Sequence, residues 1–140
     1  MSIIKKPSNH PVFPDKSKVA IVLVNLGTPD GTDYWSMRKY LKQFLMDKRV
    51  VDLFRPLWWL ILNGPILTFR PSKSGKAYKK IWDEQNHGSP LRKFTINQTN
   101  KLKNDFKDSK NLIIDYAMRY GNPSIEKVLN KIVEKGCSKL

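Results

Sequence analysis

Three short stretches hold the residue types that could do chemistry. Arg70-Pro71-Ser72-Lys73, Tyr78 and Gly88-Ser89-Pro90 combine a guanidinium, an ammonium and neutral hydroxyl donors. A guanidinium pairs bidentately with a carboxylate, and a tyrosine and a serine add uncharged hydrogen bonds. Such a set could hold the carboxylates of a flat apolar ligand. It could equally be a helix N-terminus at Ser72 or Ser74 and an ordinary loop at Gly88. Asn25-Leu26-Gly27-Thr28-Pro29-Asp30 and Met118-Arg119-Tyr120-Gly121-Asn122-Pro123 each follow an apolar run. In open α/β sheets the turns at strand carboxyl ends line ligand sites. Neither turn has the G-x-G-x-x-G pattern of a dinucleotide site. A tight structural turn is an equal reading of the first. For the second, Arg119 paired with a carboxylate and Tyr120 packed at the sheet edge is the structural one.

Metal and nucleophile chemistry is thinly supplied. His10 and His87 have no His, Cys or Glu partner at ligand spacing. His87 reads as a loop residue, and the single cysteine, Cys137, as a packing residue after a helix. One cysteine excludes an internal disulfide and suits a reducing compartment.

The elements that must position these residues follow from periodicity. Val19-Ala20-Ile21-Val22-Leu23-Val24 is an unbroken apolar run, the pattern of a parallel strand buried on both faces. Tyr34, Met37, Leu41, Phe44 and Leu45 recur at helical spacing. Ala77, Tyr78, Ile81 and Trp82 predict another helix, and Leu91, Phe94, Gln98, Leu102 and Phe106 a further one. Asn111 to Met118 reads as a second strand. Pro123 then opens a helix at its first position, Ile125, Val128, Leu129, Ile132 and Val133 form its buried face, and Gly136 ends it. The order predicts an α/β fold: a Rossmann-like, doubly wound parallel sheet flanked by helices. Two strands make an incomplete sheet, and a third is expected after Gly136 to Leu140. Residues 18–140 form the α/β domain and residues 1–17, with three prolines and no apolar core, a flexible leader.

Between Phe54 and Phe69 lies an apolar segment, Leu57-Trp58-Trp59-Leu60-Ile61-Leu62, then Asn63-Gly64-Pro65 and Ile66-Leu67. It is shorter than the ~20 residues a membrane span requires. Flanked by Arg55 and Arg70, it suits a membrane interface or the lip of an apolar pocket; an irregular loop or a core hairpin is the alternative. The charge of +14 favours anionic partners, or is a solvated basic surface. The basic residues are spread rather than clustered, with no aromatic–basic repeat, which argues against nucleic acid.

Six blocks then occur in order: Val24 to Pro29, Phe44 to Val51, Arg70 to Ser74, Tyr78 to Trp82, Gly88 to Leu91 and Ala117 to Pro123. Together they resemble the ferrochelatase family, in its proteobacterial form, from Lys18 onward. This resemblance implies two chelatase-like domains with a porphyrin between them, the second lying beyond this chain. The activity it implies is insertion of Fe²⁺ into protoporphyrin IX to form haem, with Fe²⁺ as substrate and no cofactor required. It implies porphyrin contacts at Arg70, Tyr78 and Ser89, with Leu26 beside the macrocycle at a position other members fill with Met or Tyr. The Trp58-Trp59 segment corresponds to the apolar lip by which porphyrin enters. The family's catalytic His and Glu lie beyond residue 140, so this chain taken alone is expected to be inactive. Localisation is expected to be cytoplasmic, with peripheral attachment at the inner membrane. A non-catalytic porphyrin- or haem-binding module is the second reading. A basic domain for membrane surfaces or nucleic acid, with no porphyrin role, is the third.

Overall fold

The computed structural model describes residues 18–83, 85 and 88–140. The proposed leader, with His10, and also His87 lie outside the described residues. Among the described residues three strands form one parallel sheet in the order β2-β1-β3, with β1 at Lys18–Thr28, β2 at Leu112–Gly121 and β3 at Cys137–Lys139. The third strand therefore begins at Cys137, earlier than the sequence reading placed it. Among the described residues five α-helices accompany them: α1 Tyr34–Met46, α2 Arg55–Ile61, α3 Leu67–Lys79, α4 Pro90–Asp105 and α5 Ile125–Glu134.

Helices cover both faces of the sheet, as the alternation of strand and helix predicts. On one face Val128 and Ile132 of α5 bury against Ala20 and Ala117, with Val22 and Ile113 packed around them. Asn25 points to the other face, where its amide donates to Thr95 Oγ1 of α4 at 3.1 Å. The buried stripe of α4 is Thr95 and Thr99, while Phe94 is exposed. Periodicity pointed instead to the aromatic side. The threonines can be buried because each hydroxyl donates to the carbonyl four residues back, Leu91 and Thr95, at 2.8 Å. Val133 of α5 is likewise exposed.

β1 is not buried on both faces. Val24 and Leu26 are 56% and 51% exposed, because α5 covers the strand at Ala20 and Val22 only. Among the described residues, β3 pairs with β1 only at Lys18 and Val19. The helix after β2 begins at Ile125 rather than Pro123, since Ser124 Oγ accepts from the Lys127 N–H and serves as the cap. Gly136, at φ 78°, ends it as expected.

The segment 54–69 is helical, not a loop or hairpin. α2 runs into a π-helical turn at Leu62–Ile66 and then directly into α3. α3 continues through Ser72 and Ser74 and stops at Lys79, so neither serine starts a helix and Ile81 and Trp82 follow its end. A second core cluster joins Tyr40, Leu41 and Leu45 of α1 to Trp58, Leu62 and Leu67, with Tyr120 of β2.

At their carboxyl ends β1 and β2 approach so closely that only glycine fits. A Cβ on Gly27, at φ 109°, would overlap the Tyr120 carbonyl, and one on Gly121 the Thr28 carbonyl. Gly27→Ala should therefore cost at least ~2 kcal/mol in urea denaturation. Gly64→Ala, where a Cβ meets nothing within 4 Å, should stay within ~1 kcal/mol of the parent.

Candidate functional site

α3 carries the first set of candidate side chains. Pro65, Ile66, Phe69, Arg70, Lys73, Ser74 and Ala77 line an open groove of about 610 Å³. Its walls are apolar apart from Arg70, Lys73 and Ser74. Residues 66, 70, 73, 74 and 77 recur every three or four positions and so share one side of the helix. Tyr78 is turned toward α1 instead. It is half-buried, sits 6.4 Å from the Trp82 ring centroid, and lies near enough to Tyr40 to affect that hydroxyl. Burial first, then Tyr78, pushes the Tyr40 hydroxyl up to about 12, so it stays protonated; it also donates to the Gly27 carbonyl at 3.4 Å. Arg70 and Tyr78 thus sit on adjoining sides of α3 rather than in one cluster.

Ser89 is buried and caps α4, its Oγ accepting from the Arg92 N–H at 3.3 Å. Leu26 sits at the end of β1 with its side chain half exposed and its N–H bonded to Asn25 Oδ1 at 2.8 Å. The two tryptophans diverge. Trp58 is in the core, with Nε1 donating to the Leu45 carbonyl at 2.9 Å, whereas Trp59 is 53% exposed. Trp59 belongs to an exposed apolar stretch with Phe54, Leu57, Leu60 and Phe69.

The strand-end turns are locked to one another. Arg92 Nη2 donates to Asp30 Oδ1 at 3.0 Å and to the Pro29 carbonyl at 3.3 Å, and reaches the Asn122 carbonyl at 3.5 Å. Asn122 Nδ2 donates to Asp30 Oδ2 at 2.6 Å. Arg92 escaped the sequence reading because only the fold brings positions 30, 92 and 122 together.

A second hollow, of about 500 Å³, is lined by Gln43, Met46, Asp47, Arg119, Tyr120 and Ile125. Asp47 is the C-cap of α1 and accepts from Arg119 at 2.7 Å and the Tyr120 hydroxyl at 2.8 Å. Arg119 thus has the carboxylate partner expected of it, and Tyr120 is buried. No three described His, Cys, Asp or Glu residues cluster at metal-binding distances.

An open parallel sheet with helices on both faces and loops locked at its carboxyl ends defines an α/β fold of the kind whose strand ends line ligand sites. Residues 18–140 match the family model described as Ferrochelatase. The chain is 50% identical over 139 residues to a protein named Ferrochelatase from a Chelativorans species, covering 99% of this chain. It is 48% identical over 134 residues to one of the same name from Agrobacterium fabrum, covering 96%, and 47% over 123 residues to one from Brucella ovis, covering 88%. The chain belongs to the ferrochelatase family. It spans 39%, 39% and 35% of the lengths of those three relatives.

The Asp47 cluster makes a pH prediction. The Arg49 N–H, then Arg119 and Tyr120, hold its carboxyl well below the usual carboxylate range. A folded-state value below the unfolded one contributes stability that is complete above the unfolded value and is lost as pH falls through the folded one. The melting temperature should therefore hold down to about pH 5 and drop below about pH 4. Asp47→Asn should flatten that acid limb, as followed by circular dichroism.

Proposed function

We propose that this chain is the porphyrin-wall portion of a ferrochelatase that inserts Fe²⁺ into protoporphyrin IX. The observation that carries this reading is the groove on α3. A guanidinium and an ammonium stand there beside Phe69, Ile66, Pro65 and Ala77, a combination that suits a flat apolar macrocycle bearing carboxylates. Arg70 can bind one propionate bidentately and Lys73 offers a point charge to another. The names of the relatives support the same reading.

Metallation replaces two pyrrole N–H protons with Fe²⁺, so a base must accept two protons. Within the described residues the chain offers binding groups and a rigid floor. Tyr40, held protonated, is a donor and not a base. The family's His and Glu beyond residue 140 would supply proton transfer, Fe²⁺ is substrate, and no resident cofactor is required. Tyr78, Ser89 and Leu26 complete the wall in this proposal, with Ser89 using the hydroxyl proton that its capping role leaves free.

Cytoplasmic residence with peripheral membrane contact fits the same picture. No helix of the described residues is long and apolar enough to cross a membrane. The exposed Phe54, Leu57, Trp59, Leu60 and Phe69 could dip into an interface, aided by the +14 charge.

In the full-length polypeptide, Arg70→Ala should weaken protoporphyrin IX binding about tenfold in a Soret-band titration, the effect of losing one charge-assisted pair. Unchanged affinity would remove Arg70 from the site. Residues 1–140 alone should show no metallation above the uncatalysed rate; measurable turnover would place a base within this chain.

A further inference from the structure

α3 has a proline in its interior. Pro71 carries no N–H, so the carbonyl of Leu67, four residues earlier, has no donor within the helix. Leu67 is fully buried, where an unpaired carbonyl is costly. Two side chains of α1 meet it. The Tyr34 hydroxyl donates to the Leu67 carbonyl at 3.0 Å, and Arg38 Nη1 donates to the same oxygen. Arg38 also reaches the Tyr34 hydroxyl at 3.5 Å, which holds the two donors as a unit.

Further along, Gly75 packs so tightly on the Thr32 carbonyl that a Cβ there would overlap it. Leu67, Pro71 and Gly75 are spaced by four and all buried, forming one stripe that faces α1 and the loop before it. Arg70 and Lys73 lie on the side turned away from that stripe, in the groove. Since each residue turns the helix by ~100°, any rotation of α3 about its axis would swing both cations.

The geometry points to Tyr34 and Arg38 as positioning residues. By binding the carbonyl that Pro71 frees, they fix the rotation of α3 and hence the direction in which Arg70 and Lys73 meet a dicarboxylate. Neither residue lines the groove. This inference rests on the porphyrin reading above, and its test is built to separate the two.

The test uses the full-length polypeptide and two probes, protoporphyrin IX and its uncharged dimethyl ester, each titrated at the Soret band. The double variant Tyr34→Phe/Arg38→Met should bind the dicarboxylate about tenfold more weakly and the ester within about twofold of the parent. Adding Pro71→Ala supplies an N–H for the Leu67 carbonyl and should return most of the lost dicarboxylate affinity. Arg70→Ala runs in parallel. If it weakens the dicarboxylate while the double variant does not, the groove reading stands and the positioning role fails. Equal loss of both probes without rescue by Pro71→Ala overturns the positioning role too, leaving only a contact that holds the fold. No effect from Arg70→Ala overturns both readings.

Discussion

The close pairing of β1 with β2, in register from Val19–Leu112 to Thr28–Gly121, is the constraint on which the other parts rest. Two backbones that meet without side chains between them at Gly27 and Gly121 leave no slack at the carboxyl end of the sheet. The turns that follow are therefore launched side by side, and one guanidinium, Arg92, can hold both. Tyr120, the residue whose carbonyl lies over Gly27, sends its side chain into the cluster with α1 and α2. The position of the first three helices is thus tied to the same strand end. A displacement of the two strands would be felt in the loops, in the core and in the Asp47 cap together.

Much of the remaining architecture is an accounting of carbonyls. The last turn of α1 leaves orphan acceptors, and α2 supplies donors for two of them, Trp58 Nε1 to Leu45 and Arg55 Nη2 to Met46. The prolines at 65 and 71 create further orphans inside a helical rod. Polar side chains consequently appear in places where a regular helix would need none. This explains how a basic, aromatic-rich segment can be both well fixed and partly exposed: hydrogen bonds at a few buried oxygens add to the burial of Trp58, Leu62 and Leu67.

The two long strands and the existence of α1, α4 and α5 were legible from period and turn chemistry, though the buried face of α4 was not. Val19 to Val24 and Asn111 to Met118 read as parallel strands, and Gly136 as a helix stop. Legibility failed where tertiary satisfaction overrode the local signal. Asn63-Gly64-Pro65 looks like a break, yet a π-helical turn carries the chain through it. Phe94 looks like a core residue, yet α4 buries threonines whose hydroxyls are bonded to their own helix. The groove was half legible. Arg70 and Lys73 stood out by charge, but the turning of Tyr78 toward Tyr40 depends on the contact between α1 and α3, which no spacing in one segment reveals. Arg119 was read correctly as an ion-pair residue, though its partner at position 47 was not.

The π-helical turn at Leu62–Ile66 has a further consequence. Such a turn amounts to one residue inserted into an α-helix, which advances the phase of everything after it by ~100°. In an unbroken helix Leu67, nine positions after Trp58, would lie on the opposite side; the inserted residue brings it back toward the core, where Trp58, Leu62 and Leu67 share one cluster. A lineage that lost one residue between 62 and 66 would keep a continuous helix of nearly the same composition and hydropathy. It would, however, have turned Leu67 off the core that Trp58 and Leu62 share. Length in this short interval, more than the identity of its residues, is what evolution would have to hold constant.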